Sequence, residues 1–172
     1  MRLFAAIELS DEMKKTLVRF QDALKDAGVF GGYTRPDNLH LTLAFIGEYK
    51  DPDRILDVME QLSFEPFDLS LTGLGNFGDL YWVGVDADKE LERMVKRLRR
   101  AFADNGIPFD RKKFYPHITV VRGAFYDGVG LPEIGIDPVS MTASYISLMR
   151  SDRGKGGMIY SSVGEVYADG YE

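Results

Sequence analysis

An apolar, strand-like run, a capped amphipathic helix, a loop and a strand carrying His-x-Thr follow one another in that order twice. A duplication of this kind restricts the fold to two similar lobes. In the first copy, residues 3–7 are followed by Ser10, an N-cap, with Asp11 and Glu12 in the first turn, where carboxylates suit the helix dipole. Met13, Leu17, Phe20 and Leu24 recur at helical spacing until Gly28. A loop through Gly31-Gly32 and Arg35-Pro36-Asp37 then leads into His40-Leu41-Thr42-Leu43. In the second copy, residues 80–85 read as the strand, Asp88 as the cap, and Leu91, Met94, Val95, Leu98 and Phe102 as the buried stripe. Asn105-Gly106 stops that helix before His117-Ile118-Thr119-Val120.

These are the only 2 histidines among 172 residues. Threonine is scarce as well, and both histidines carrying it two positions on has a chance probability of roughly one in a thousand. A single His-x-Thr strand reads as a half-buried histidine bonded to a neighbour; the pair does not. Side chains alternate along a strand, so His40 and Thr42 share one face about 7 Å apart while Leu39, Leu41 and Leu43 face the core. His117 and Thr119 repeat that geometry. If the second strand is regular, Arg122 shares the face of Val120.

Around this repeat, Asp51-Pro52 opens a further helix, with Ile55, Leu56, Met59 and Leu62 on its buried stripe. A short strand is expected near residues 67–71. The glycine-rich residues 73–78 read as punctuation between the halves, which puts the midpoint near 73–79, and no Lys-Ser/Thr follows to make them a phosphate loop. Residues 140–148 and 158–166 suggest a closing hairpin whose tip runs from Arg150 to Gly157. That tip is either a plain polar turn or a phosphate contact through Arg150 and its neighbours. Residues 1–172 are expected to form one domain, since a chain of this size buries about 70% of its unfolded surface.

Composition narrows the function. The chain has no cysteine, which removes disulfides, thiol nucleophiles and thiolate metal sites and agrees with a cytoplasmic setting. The first apolar run is cut by Glu8, too short for a membrane span or a secretory h-region. A net charge of −6 argues against nonspecific coating of nucleic acid, so no DNA partner is expected. The cluster Lys96-Arg97-Arg99-Arg100 reads as a solvated helix face. Nothing suggests a partner helix, and a monomer is the expectation.

Two imidazoles facing each other across a groove suit displacement at phosphorus. An unperturbed histidine titrates near ~6.5, so one ring can accept a proton from the attacking oxygen while its partner donates one to the leaving oxygen. The threonine hydroxyls can donate to the non-bridging oxygens, where charge must be held. This chemistry requires no metal or other cofactor. A zinc site would need carboxylate ligands that the His-x-Thr segments do not supply.

These residues resemble the 2H phosphoesterases, specifically the RNA 2′,3′-cyclic phosphodiesterases also called 2′-5′ RNA ligases. Residues 1–7 are similar to the family's opening strand, and residues 35–43 and 115–122 to its two signature segments. Ser147-Leu148-Met149-Arg150-Ser151 and Gly157-Met158-Ile159-Tyr160 resemble its C-terminal segment. The resemblance implies an α+β, bilobal 2H phosphoesterase fold: two pseudo-twofold-related lobes of antiparallel sheet, helices outside and a central groove between. It implies hydrolysis of an RNA terminal 2′,3′-cyclic phosphate to a 2′-phosphate, with 2′-5′ joining as the reverse reaction and small cyclic nucleotides as further candidate substrates. Non-catalytic binding of such nucleotides is the remaining alternative. The family assignment makes His40 the proton donor and His117 the acceptor, with Thr42 and Thr119 beside them. Arg122, with its fork matched to phosphate oxygens, and Arg150 are the expected phosphate contacts. Tyr33 is an expected base-stacking residue, and Phe4 is either that or core.

Overall fold

The computed structural model describes residues 1–171. Along the chain run β1 (Arg2–Glu8), α1 (Asp11–Asp26), β2 (Val29–Tyr33), a 3-10 turn (Pro36–Asn38), β3 (His40–Glu48), α2 (Pro52–Glu60), β4 (Phe67–Phe77) and β5 (Leu80–Ala87). There follow α3 (Lys89–Asp104), β6 (His117–Tyr126), β7 (Ser140–Ala143), β8 (Tyr145–Gly154) and β9 (Gly157–Tyr167). The helices start where their caps predict. Ser10 Oγ accepts from Met13 N, Asp51 Oδ1 from Arg54 N and Asp88 Oδ1 from Glu90 N, each supplying an acceptor to an otherwise unpaired first-turn donor.

Two antiparallel sheets result, in the orders β3-β1-β8-β9 and β2-β6-β5-β4-β7. The same neighbour order recurs in both sheets: β3, β1, β8 and β9 of one correspond to β6, β5, β4 and β7 of the other. Neither sheet is a contiguous half of the chain. β2 leaves the first copy to pair with β6, while the C-terminal hairpin β8–β9 returns to complete the first sheet against β1. One apolar cluster joins residues of both sheets and of all three helices. Leu41, Leu43, Ile118 and Val120 are fully buried in it, and at about 1.5–3 kcal/mol for each buried aliphatic side chain they anchor the two histidine strands firmly. Among the described residues no helix is long and apolar enough to cross a membrane.

The glycine-rich residues differ from expectation. β4 extends through them to Phe77, pairing with β5, and only Gly78-Asp79 form the turn. The reason is local: the ring of Trp82 lies flat on Gly75, in the space a Cβ would fill, so glycine serves here as a close-approach residue within a strand. Gly75→Val should therefore destabilise the protein by about 1–3 kcal/mol through overpacking, read as a lower urea midpoint with an unchanged m-value; a midpoint within error of the parent would refute this account of β4.

Candidate active site

Both histidine rings are oriented by the same device. His40 Nδ1 lies 2.6 Å from the Asn38 carbonyl and His117 Nδ1 lies 2.6 Å from the Tyr115 carbonyl. A carbonyl only accepts, so Nδ1 carries the proton in each ring and the neutral tautomer leaves a lone pair on Nε2. Proline contributes at both approaches, at Pro36 in the turn before β3 and at Pro116 immediately before His117.

The strands that carry them share a second feature. In the β1–β3 ladder Ala6 pairs with Thr42 and Ala5 with Ala44, leaving Leu43 as an extra residue. In the β5–β6 ladder Trp82 pairs with Thr119 and Tyr81 with Val121, leaving Val120 extra. Each β-bulge thus falls three residues after its histidine, and the two residues from the bulge on (Leu43-Ala44 and Val120-Val121) are both buried. A bulge inverts the alternation beyond it. Arg122 therefore leaves the face of Val120 and joins His117 and Thr119, contrary to the regular-strand expectation. By the same inversion Phe45, in register with Phe4, joins His40 and Thr42.

At each bulge a helix side chain bonds a strand carbonyl, and at Val120 the Thr34 N–H donates to the same oxygen at 3.0 Å. Arg99 of α3 donates to Leu43 O from Nε at 3.2 Å and from Nη2 at 3.0 Å. Gln21 of α1 donates from Nε2 to Val120 O at 3.0 Å and to Thr34 O at 2.9 Å. Gln21 and Arg99 stand at the same position of the duplicated helices, eleven residues beyond their N-caps. Arg99 is accordingly not part of a solvated face; it turns inward and also bonds Lys112 O at 2.6 Å.

Burial divides the pair. His40 stands on a small apolar cluster of Phe4, Ala6 and Met149, separate from the main core, with Tyr160 against it. Its ring centroid is 4.9 Å from that of Phe4 and 5.2 Å from that of Tyr160. Desolvation there lowers the His40 pKa to about 4; the Asn38 carbonyl opposes the shift, and the charges of Arg122 and His117 reinforce it. The strands β3 and β6, from different sheets, lie in direct contact. His40 Nε2 is 2.7 Å from Thr42 Oγ1, and in the neutral ring that hydroxyl is the donor. The free protein thus holds His40 in its acceptor form, whereas the family resemblance assigns it the donor role. Around His117 the wall is aromatic: Phe77 lies at 5.2 Å and Trp82 at 5.9 Å, with Tyr115 closing the group 5.3 Å from Trp82.

Three expected binding residues stand elsewhere. Tyr33 pairs with the buried Val121, which turns its ring to the core-side face. There its hydroxyl donates to Val29 O at 2.8 Å and Lys25 covers the ring. Arg150 pairs with the buried Leu3, faces away from the groove, and binds Asp152 at 2.8 Å. Met149 and Ser151 flank it on the groove side. Phe4 is 4% exposed, a floor beneath His40 rather than a free stacking face. Sequence reading missed Phe45, Tyr160, Gln21 and Arg99. The break in alternation at Leu43-Ala44 and Val120-Val121 and the matched helix positions were the available signals. Among the described residues no group of three or more His, Asp or Glu is placed to hold a metal ion.

A native His40 titrating at about 4 against an unfolded value near 6.5 binds fewer protons than the unfolded chain between those pH values. Stability attributable to it is therefore present above about 6.5 and is lost as pH falls to about 4, by up to about 3 kcal/mol. Denaturant unfolding at pH 7 and pH 4.5 should show a larger loss for the parent than for His40→Gln, by about 2 kcal/mol; equal losses would disprove the buried, neutral His40.

Known proteins resemble this chain in sequence and in fold. Residues 9–155 match the family model described as the 2′-5′ RNA ligase superfamily. The RNA 2′,3′-cyclic phosphodiesterase of Thermotoga maritima is 28% identical over 99% of this chain and 97% of its own length. The proteins of that name from Methanothermobacter thermautotrophicus and Escherichia coli are each 30% identical, over 94% and 79% of this chain and 96% and 79% of their own lengths. Among solved structures, E. coli LigT in its apo form superposes with a TM-score of 0.82 at 26% identity, covering 97% of this chain and 96% of LigT. TT0787 of Thermus thermophilus superposes with a TM-score of 0.81 at 25% identity over the whole of both chains. With its two His-x-Thr strands facing one another on a duplicated α+β frame, the chain belongs to the 2′-5′ RNA ligase superfamily.

Proposed function

We propose that this protein hydrolyses a terminal 2′,3′-cyclic phosphate on RNA to a 2′-phosphate by metal-independent general acid–base catalysis. The observation that carries the reading is the pair of Nε2 atoms, each aimed by a carbonyl behind its ring, on strands that face each other. The substrate class comes from relatives named RNA 2′,3′-cyclic phosphodiesterase across nearly the whole chain.

In this mechanism a water oxygen attacks phosphorus and loses its proton to His117 Nε2. The bond from phosphorus to the ribose 3′-oxygen breaks, and that oxygen takes a proton from His40 Nε2. The products are a 2′-phosphate and a free 3′-hydroxyl, with the two histidines in exchanged protonation states that solvent restores. Arg122 neutralises the non-bridging oxygens through its planar fork. Thr119, whose hydroxyl is not taken up by its own histidine, donates to them, and Thr42 is released for the same purpose once His40 is protonated.

The free-state protonation of His40 fits this sequence through the substrate. The phosphodiester anion lies beside a ring whose protonation is opposed by burial and by the neighbouring charge of Arg122, and its charge offsets both effects. Binding and proton uptake at His40 are thereby coupled. The NMR titration of His40, assigned by its loss in His40→Asn, should move from about pH 4 upward by at least one pH unit when 2′-AMP is bound. A midpoint unmoved by the nucleotide would remove His40 as the donor.

The direct test is an oligoribonucleotide ending in a 2′,3′-cyclic phosphate, incubated with the protein in EDTA. A 2′-phosphate should form, and either His40→Ala or His117→Ala should lower the rate by about 10²-fold or more. Persistence of the cyclic end, a 3′-phosphate product, or near-normal turnover in either variant would defeat the mechanism.

A further inference from the structure

Beyond Arg122, β6 carries a second irregularity. Gly32 of β2 pairs with Arg122 and Phe30 with Phe125, so two steps along β2 match three along β6. The extra residue falls at Gly123-Ala124, where Gly123 takes a φ of 60° that favours glycine. Phe125 thereby stays on the face of His117, Thr119 and Arg122, while Ala124 and Tyr126 pack against the core. Along β2 the alternation is regular: Val29 and Tyr33 turn to the core, Phe30 and Gly32 to the groove side. Gly31 lets the two strands lie this close, since a Cβ there would meet Val121 Cγ1 at 2.7 Å. The result is a cross-strand pair of phenylalanines, 68% and 62% exposed, next after Arg122 on the same face.

We propose that Phe30 and Phe125 form a stacking platform for the base that precedes the cyclic end, so that the protein recognises a single-stranded RNA terminus of two or more nucleotides. The assignment rests on the phosphodiesterase reading, which puts the terminal phosphate at Arg122. A nucleotide whose 2′- and 3′-oxygens are closed in a cyclic phosphate can be joined to the rest of an RNA only through its 5′ side. Phe125 stands about 7 Å beyond Arg122, discounting the bulge, a step comparable with that between successive nucleotides of an extended strand. A cation followed at that spacing by two uncovered rings repeats the strand's own alternation of phosphate and base. Continuity with the face of Arg122 is what favours RNA as the occupant over another protein. A net charge of −6 leaves little general attraction for a phosphate backbone, and stacking supplies affinity that does not depend on charge. An aromatic face accepts every base alike, because it engages the π-face rather than the hydrogen-bonding edge. The platform therefore selects for length and for an unpaired end, not for sequence.

The test compares three substrates: adenosine 2′,3′-cyclic phosphate, adenylyl-adenosine with the same cyclic end, and that dinucleotide with the base of its 5′ residue removed. The parent should show a KM about 10-fold lower for the intact dinucleotide than for the other two. Phe30→Ser combined with Phe125→Ser should bring the dinucleotide to their level. The same change should alter KM for the mononucleotide, which has no second base to lose, less than about 2-fold. Phe125→Tyr should keep the preference. Phe30→Leu with Phe125→Leu, which retain apolar bulk but no ring, should lose most of it. In the serine variant, removing the 5′ base should cost nothing further. Both rings are more than half exposed, so these variants are expected to fold, and unchanged unfolding midpoints verify that. A parent without preference for the intact dinucleotide, a serine variant that keeps the preference, or equal losses on mononucleotide and dinucleotide overturns the platform. A parent that sediments as a dimer, and a serine variant that is monomeric with the preference intact, would give the rings to a second copy of the chain instead. If the parent turns over none of the three, the hydrolytic reading fails separately. Binding of adenylyl-adenosine 2′-phosphate is then compared with that of 2′-AMP by NMR: an advantage that depends on Phe30 and Phe125 supports the platform, and its absence sinks it.

Discussion

The pairing of one carbonyl at the bulge of each histidine strand, with a helix side chain in both, is the interaction on which the rest of the site depends. A β-bulge inserts one residue, leaves a carbonyl without its ladder partner, and reverses which face later side chains occupy. Left unsatisfied in the interior, that carbonyl would cost about 1–3 kcal/mol, and the strand would gain by slipping back to a regular register. Arg99 on Leu43, and Gln21 together with the Thr34 N–H on Val120, remove that incentive. With the bulges held, His, Thr and the fifth residue on share a face in both arms. Without them, Arg122 and Phe45 would point into the core. The pairing also explains Gln21, a polar side chain buried in the amphipathic helix α1 that would otherwise be an anomaly.

The two arms share geometry but not environment, and the difference separates the histidines chemically. His40 rests on Phe4, Ala6 and Met149 with Tyr160 edge-on, and loss of water there favours the neutral ring. The charges of Arg122 and His117 act in the same direction. The two histidine strands thus offer equal frames, and the packing around one of them keeps His40 neutral.

Much of this was legible in the chain. The repeat, the caps at Ser10, Asp51 and Asp88, the helical stripes and the His-x-Thr strands all rest on interactions within a few residues, so local pattern reveals them. The mistaken placements share one cause. Tyr33, Arg150 and the unresolved side of Arg122 each depended on strand parity, and parity depends on bulges and on which neighbour a strand pairs with. Tyr33 faces inward because β2 crosses to β6 in the register that sets it against Val121. Arg150 leaves the groove face because it pairs with Leu3, whose side chain lies on the core side of β1. The glycine-rich residues 73–77 read as a break because the ring that fills their space, that of Trp82, comes from the next strand.

What the sequence alone determined is therefore the set of parts: two equivalent strand–helix–strand units, each ending in a histidine and a threonine two positions apart on one face, in a chain without cysteine. Those features are periodicities and caps, encoded by adjacent residues. Only the tertiary structure decided which side chains share the groove with them. The exchange of β2 between sheets, the return of β8 and β9, and the two gripped bulges set the facing of every residue beyond the histidines. A period-two pattern reverses with one inserted residue, and whether a residue is inserted is settled by partners distant in the chain: Arg99, Gln21 and the strands opposite.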